Sequence, residues 1–446
     1  MRSLAGPAEP RRGGIGAAIA AAEAKTRRSM LRNHGGGHAP VSFLELFFDL
    51  VFVFAITQLS HGLLHHLSWH GFAEAVVLFL AVWWAWIYTT WVTNWANPDR
   101  LPIRVLLLTV MLLSLGMAVA IPEAFAAQGL VFAVCYVAIQ LGRSAIMARL
   151  FRADSAARVR NMSRIALWFA ASTPLWLAGA LAADPDLRLG LWLTALAIEY
   201  TGPFALFRVP GLGHSQLADW DISGSHMAER CALFIIIALG EGIVVTGNTF
   251  AGLPFDAARI TSFIIAFLSA ALMWWLYFDI GAERGTRLIS GHAQAGRVAR
   301  NAYTYLHMPI VLGIVITAVG DALLLEAGSG TAGASLVAVQ TAGLVVFLTG
   351  LGLFKRHANT FGNFPFSHIV AVLLLAALGL AGWFSPMPAA RFAGLGVAVL
   401  LVTCVWEWVS YHGGWLEPME ARGWSLARWL RQRAERRLAA RLARRR

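Results

Sequence analysis

The sequence has little charge, few cysteines and no familiar enzyme motif. Only 13% of its 446 residues are charged, against about 25% in ordinary soluble chains. Its three cysteines lie singly in apolar stretches without a C-x-x-C pair, which argues against a disulfide scaffold or a zinc site. Neither G-x-S-x-G nor the phosphate-binding G-x-x-x-x-G-K-[ST] occurs, so we predict that the protein is not an enzyme and holds no cofactor.

What the sequence has instead is apolar surface. Hydrophobic residues make up 58% of the chain, and the mean hydropathy is +0.62. A chain of this composition must bury apolar surface against more than its own core. We therefore predict an integral membrane protein.

The formal net charge of +12 belongs to the two ends of the chain. Residues 1–40 carry seven basic and two acidic residues, residues 416–446 carry ten and three, and residues 41–415 are neutral. We predict a disordered basic tail over 1–40. The tail 416–446 has an apolar residue at every fourth position among its arginines, at Leu426, Leu430, Ala434, Leu438 and Leu442. This pattern predicts an amphipathic helix on the anionic inner leaflet rather than a specific nucleic-acid partner.

Long apolar segments fill the body of the chain. A spanning helix needs about 20 mostly apolar residues. That criterion predicts an all-α integral membrane protein of about twelve transmembrane helices, at 43–64, 72–93, 103–122, 127–149, 164–183, 189–207, 228–250, 258–280, 302–325, 333–354, 366–385 and 390–412. With the N-terminus inside, the inner loops hold fourteen Lys and Arg and the outer loops three. This bias predicts a multi-pass plasma-membrane protein with both termini in the cytoplasm.

Two segments of the body match each other. Aligning Glu45 of FLELFFDLVFVFAITQ with Glu229 of MAERCALFIIIALGEG places Thr57 on Glu241. We predict two parallel six-helix repeats, over 41–207 and 228–415, joined by a cytoplasmic linker at 208–227.

The same two segments carry a family resemblance. FLELFFDLVFVFAITQLSH and HMAERCALFIIIALGEGIVVTG resemble the bacterial low temperature requirement protein A family over most of residues 41–412, as does the stretch from Arg300 to His307. The resemblance implies an integral membrane protein associated by name with growth in the cold, and it implies no catalytic residues to carry over.

A weaker resemblance joins the first helix to potassium channels built from six-helix units. In those channels a Phe-Ser-Asp triplet precedes an Ala-Ile-x-Thr-like run, whereas this chain has Phe47-Phe48-Asp49 before Ala55-Ile56-Thr57. The serine is missing, and Cys231-Ala232-Leu233 stands at the matching place in the second repeat. The resemblance implies a shared six-helix architecture and puts a shared channel mechanism in doubt.

Acidic residues enter the first and seventh predicted spans at matching depths. Glu45 and Asp49 are one helical turn apart on one face, and Glu229 and Arg230 begin the second repeat. We expect these four side chains to form one cluster at the cytoplasmic face. It is either a proton or cation site or an ion-pair network that holds the repeats together.

Glu241 lies twelve residues beyond Glu229, about 18 Å deeper in a helix at 1.5 Å per residue. A carboxyl at that depth is costly unless it is paired, protonated or hydrated. We predict a functional proton or cation site, and the alternative is a neutral carboxyl that is hydrogen-bonded to a neighbouring helix. The first repeat offers Thr57 and Gln58 at the same depth, and Asp321 and Glu199 belong to the same class of intramembrane acid.

Four histidines stand where the first span leaves the membrane: His61, His65, His66 and His70. Their i, i+4 spacing suits a weak metal site or a pH sensor, but interfacial histidines without a ligand are the commoner case.

We therefore predict a cation- or proton-coupled transporter. Its alternatives are an ion channel of two six-helix repeats and a non-transporting scaffold or lipid-handling factor for cold adaptation. The expected partners are membrane lipids and a small cation or solute whose identity stays open, and a homo-oligomer is also open.

Overall fold

The computed structural model describes residues 30–32, 40–216, 222–282, 298–358 and 363–411, and positions 422–425, 429, 432 and 436. Within these residues the regular elements are all helices. They are α1 (Phe43–His65), α2 (Trp69–Trp95), α3 (Leu101–Ala120), α4 (Gly129–Val137), α5 (Arg143–Leu150), α6 (Ala156–Leu181), α7 (Pro185–Thr201), α8 (Gly224–Ala251), α9 (Ala257–Leu276), α10 (His307–Ala327), α11 (Ala334–Ala358), α12 (Phe366–Phe384) and α13 (Ala389–Tyr411). A π-helical turn, Ala138–Gly142, joins α4 to α5 in one span.

Eleven helices in the described ranges are long and apolar enough to cross a membrane. The sequence predicts twelve, and the sixth segment accounts for the difference. Instead of running over 189–207, it forms the 17-residue helix α7, which ends at Thr201. Gly202 caps the helix and Pro203 comes next, and proline lacks the backbone N–H that would continue the helical hydrogen bonds.

Helix starts are encoded by polar caps. Ser42 and Glu45 form a reciprocal capping box at the start of α1, which supplies partners to backbone N–H groups that a helix leaves free. The Ser223 hydroxyl accepts from the His226 N–H and begins α8 at Gly224, four residues before the predicted span. These caps set the level at which acidic side chains enter the two helices.

The centre of the molecule is formed by α2 and α10, the most buried of the spanning helices. Trp83, Trp84 and Trp86 on α2 are fully buried. Glycines let α10 and α11 approach closely: a Cβ built at Gly313 would lie 2.4 Å from the backbone nitrogen of Phe347. Backbone contact of this kind is typical of small residues in membrane helices.

Part of the predicted N-terminal tail packs on this body. Arg32 N–H donates to Trp95 O at 2.8 Å, and Asn97 N–H donates to Met30 O at 2.9 Å. Residues 30–32 therefore belong with the helical body. The predicted tail helix over 416–446 lies mostly outside the described residues.

Candidate functional site

A cluster of charged side chains joins the starts of α1 and α8 to the end of α2. Glu45 is its outermost carboxylate and is fully buried. Its Oε2 accepts from the Ser42 backbone N–H and hydroxyl, each at 2.8 Å. The other oxygen, Oε1, is left for groups outside the capping box.

His226 on α8 and Arg32 converge on Glu45 Oε1, at 2.9 and 3.4 Å. The Asn94 amide contacts both Ser223 and His226. Its Oδ1 accepts from the Ser223 N–H, so its Nδ2 faces His226 Nδ1 at 3.2 Å. His226 Nε2 faces Glu45 Oε1 and also lies 2.8 Å from Arg32 Nη1.

Arg32 connects the segment before α1 to the cluster around Glu45. Its Nη1 donates to Thr93 O at 2.9 Å, and its Nη2 donates to Pro40 O at 2.7 Å. Its guanidinium brings a positive charge to within reach of Glu45. The segment before α1 therefore contributes directly to the cluster.

Asp49 and Arg230 form a buried ion pair one turn deeper. Arg230 Nη2 and Trp86 Nε1 both donate to Asp49 Oδ1 at 2.8 Å. Arg230 Nη1 donates to Glu45 O at 2.8 Å. Asp49 Oδ2 and Arg230 Nε have no hydrogen-bond partner among the described groups. The pair therefore links the first half of the chain to the second at a fully buried position.

The predicted grouping of Glu45, Asp49 and Arg230 is present in the structure. Glu229, expected beside them, is half-buried, and the contact with Glu45 is made by His226 instead. His226 lies one helical turn before Arg230 and therefore shares its face of α8. That spacing is the sequence signal that could have identified it.

Glu241 is placed differently from these acids. It lies in the middle of α8 and is only 2% exposed. Its Oε1 has no hydrogen-bond partner in the described part of the chain, while its carboxyl interacts with the Thr57 side chain of α1. Thr57 and Gln58 are both half-buried. The sequence alignment placed Thr57 and Glu241 at the same depth, and in the structure their side chains also connect α1 to α8.

Asp321 on α10 is buried and accepts from Gln340 Nε2 of α11 at 3.3 Å. Gln340 Oε1 has no partner among the described residues. Asp321, Thr246 and Gly242 line a cavity of about 20 Å³ between α8, α9 and α10. This is enough space for about one water molecule. Gln340 was not identified from the sequence, although a glutamine within an apolar helix is a usable signal.

The four histidines do not share one helix. His61 and His65 lie on α1, His66 caps its end, and His70 lies in the first turn of α2. His70 Nε2 lies 3.1 Å from Glu74 Oε1. No group of three or more His, Cys, Asp or Glu side chains suited to a metal ion occurs in the described ranges.

Two other acids, the buried Glu199 and the partly buried Glu407, each have several polar side chains around them. Glu199 on α7 accepts from the Ser172 hydroxyl at 2.6 Å, Trp176 Nε1 at 2.8 Å and the Tyr136 hydroxyl at 2.5 Å. Glu407 on α13 was not predicted from the sequence. Its carboxylate contacts the side chains of Lys355, Ser367 and His368. In both arrangements the carboxylate is held by side chains of two other helices.

Comparison with known proteins gives the family of this chain. It is 39% identical over 393 residues to a protein of Rhizobium meliloti (strain 1021) that is described as uncharacterized, with 87% of this chain and 93% of the relative covered. No solved structure matches. Residues 40–405 match the family model described as bacterial low temperature requirement A protein, LtrA. The chain therefore belongs to the LtrA family, as its two motifs indicate.

Proposed function

We propose that the protein is a membrane transporter that couples solute movement to a proton or small cation, with Glu241 as the intramembrane carrier. The observation that carries the proposal is the environment of Glu241. It is a buried carboxyl in the middle of a spanning helix, and one of its oxygens has no partner among the described groups. Such a group is expensive in a membrane and is expected to be functional.

The contrast with the other acids supports this assignment. Asp49 is paired with Arg230, and Glu407 with Lys355. In the structure each of these pairs joins two helices. No ion pair of that kind involves Glu241 in the described residues, so a structural lock does not account for it.

The contact with Thr57 favours a proton as the coupling ion. The Thr57 hydroxyl donates to Val53 O at 3.1 Å, which leaves its oxygen as an acceptor toward Glu241. A neutral Glu241 carboxyl can donate to that oxygen, whereas a carboxylate cannot. Loading and release of a proton would therefore make and break a link between α1 and α8.

The cavity beside Asp321 offers a neighbouring polar station. Thr246 donates its hydroxyl proton to Gly242 O at 2.7 Å, so its oxygen can accept a hydrogen bond within the cavity. A water held between Asp321 and Thr246 would have the two polar partners that a buried water needs. Gly242 is the next residue after Glu241, which brings this cavity close to the proposed carrier.

Helix neighbours support the two-repeat architecture. In the first half α1 packs against both α2 and α3, and α3 packs against α4. In addition, α7 packs against α6 and α2. The second half has the same neighbours in the same order. Here α8 packs against both α9 and α10, and α10 packs against α11. In addition, α13 packs against α12 and α9. In this architecture the short helix α7 is the sixth span, and α13 is its counterpart.

The carboxylates of Glu199 and Glu407 fit the same symmetry. Glu199 lies on the last helix of the first half and is bound by side chains of that half's fourth and fifth spans. Glu407 lies on the last helix of the second half and is bound in the same way by Lys355 of α11 and by α12. A shared design of two six-helix units accounts for both.

The cluster of Glu45, Asp49, Arg230, His226 and Arg32 is proposed as the inner gate. With both termini in the cytoplasm of a plasma-membrane protein, the starts of α1 and α8 face inward, and opening requires separation of Asp49 from Arg230. The basic C-terminal tail is proposed to bind the anionic inner leaflet. These assignments rest on the distribution of basic residues.

The proposal is tested by proton flux in liposomes. Purified protein is reconstituted with a pH-sensitive dye inside, and K⁺ or Na⁺ gradients are imposed in turn. Wild type should move protons in response to at least one gradient. Glu241→Gln should reduce that flux at least tenfold, because the amide cannot carry a proton.

Glu326→Gln is the matched control, since Glu326 is an exposed carboxyl at the end of α10. It should leave the flux unchanged. Wild-type flux no greater than that of empty liposomes, or equal flux in Glu241→Gln, would contradict the proposal. Unitary currents in planar bilayers would favour the channel alternative instead.

A further inference from the structure

An apolar groove of about 340 Å³ lies at the end of the molecule opposite the charged cluster. It is bordered by the end of α1 and the start of α2 on one side and by α10, α11 and α12 on the other. The groove therefore separates elements of the first and second halves of the chain. It contains neither Glu241 nor Asp321.

Small side chains create this groove. Ala334, Ala338 and Ala342 recur every four residues on α11 and therefore line one face of the helix. Trp69 and Trp383 flank them and are 87% and 58% exposed. A row of methyl groups between two large aromatic rings gives a channel along the helix.

The floor of the groove belongs to both halves. Leu63 of α1 packs with Ile316 and Val319 of α10 in a small buried cluster. Leu63 and Ile316 also line the groove. An occupant of the groove would contact both halves at once.

We propose that this groove binds one acyl chain of a membrane phospholipid. The helices that form it are membrane-spanning candidates, so the medium that reaches the groove is lipid hydrocarbon. Water is a poor occupant because a buried water needs polar partners, and the lining offers mainly Ser68 and Ser335. A large apolar space left empty would forfeit the dispersion contacts of its lining atoms.

The size and the ends of the groove fit a lipid tail. At about 340 Å³, the groove is many times larger than the space that one water molecule needs. Trp69 and Ser68 stand at the start of α2, and Trp383 near the end of α12. Tryptophan is enriched at the boundary between hydrocarbon and headgroups, which places the glycerol end of the lipid there. The chain then runs inward along Ala338 and Ala342.

Photolabelling tests the proposal. Delipidated protein is incubated in detergent with phosphatidylethanolamine that carries a photoactivatable group on its acyl chain, and labelled peptides are mapped by mass spectrometry. Label is expected on the first turns of α11 and the last turns of α12. An excess of unlabelled phosphatidylethanolamine should reduce it in the wild-type protein at least fivefold, which requires no mutation.

Ala338→Trp fills the groove and should also reduce the label at least fivefold. Leu373→Trp is the control, because Leu373 is a lipid-facing residue of α12 that is 64% exposed and lies outside the groove. It should label like the wild type. The proposal is overturned if label in the groove is neither displaced by lipid nor reduced by Ala338→Trp. It is also overturned if crosslinking joins the groove to a second copy of the chain.

Discussion

Asp49 accepts from two buried donors, Arg230 and Trp86, through a single carboxylate oxygen. Both donors therefore point at the same oxygen. Asp49 Oδ2 and Arg230 Nε have no hydrogen-bond partner among the described groups. The pair is therefore costly to form and costly to break. Such a pair suits a contact that specifies how the two halves meet.

Asp49→Asn should destabilise the protein by roughly 3–5 kcal/mol, because it leaves the buried Arg230 charge without compensation. Unfolding in detergent, followed by heat or denaturant, measures the change. Asp99→Asn is the control, since the Asp99 side chain is 85% exposed. Its effect should stay within about 0.5 kcal/mol.

The double variant Asp49→Asn with Arg230→Met should recover much of the lost stability, because removing both charges also removes the desolvation cost. If the double variant is as unstable as the sum of its parts, the ion-pair explanation is wrong.

At the scale of elements, the α10–α11 pair holds the second half together through backbone contact. Gly313 faces the backbone of Phe347, and Gly343 faces the backbone of Thr317. A methyl group at either glycine would lie closer to the partner helix than van der Waals contact allows. The two helices can therefore pack in this way only with glycine at both positions.

Gly313→Ala should force α10 and α11 apart and cost about 1–3 kcal/mol, as overpacking does in dense cores. The melting temperature in detergent reports the change. Gly247→Ala on α8 is the matched control, because a Cβ there meets nothing within 4 Å. It should be neutral or stabilise the helix by up to about 1 kcal/mol. Equal melting temperatures for the two variants would show that the close approach is not stabilising.

At the scale of the whole molecule, the proposed orientation depends on which loops carry basic residues. The loop between α2 and α3 contains Asp99 and Arg100, and the turn after α3 contains Glu123. These two loops lie on opposite ends of α3. They therefore report opposite sides of the membrane.

In a cysteine-free background, Glu123→Cys should react with an impermeant maleimide in intact cells, and Asp99→Cys should react only after permeabilisation. Both positions are exposed, so accessibility is decided by the membrane. Labelling of Asp99→Cys in intact cells, with Glu123→Cys protected, would invert the proposed topology.

The sequence by itself determined the class of the protein, its family and most of its helices. Apolar length, polar caps and basic loops act locally, so they can be read without knowing what packs where. The spacing of Glu45 and Asp49 and their match to Arg230 also predicted the core of the cluster. The sixth span, α7, ends earlier than predicted because the chain leaves the helix at Gly202, one residue before Pro203.

Only the tertiary structure decided which polar groups have partners. His226 and Arg32 reach Glu45 across 181 and 13 residues of sequence, and Gln340 meets Asp321 across 19. Pairing between helices depends on their rotation and separation, which side-chain patterns within one helix do not specify. The unpartnered Oε1 of Glu241 and the groove beside Ala338 arise in the same way, because a missing partner and an unfilled space are properties of packing and not of any one segment.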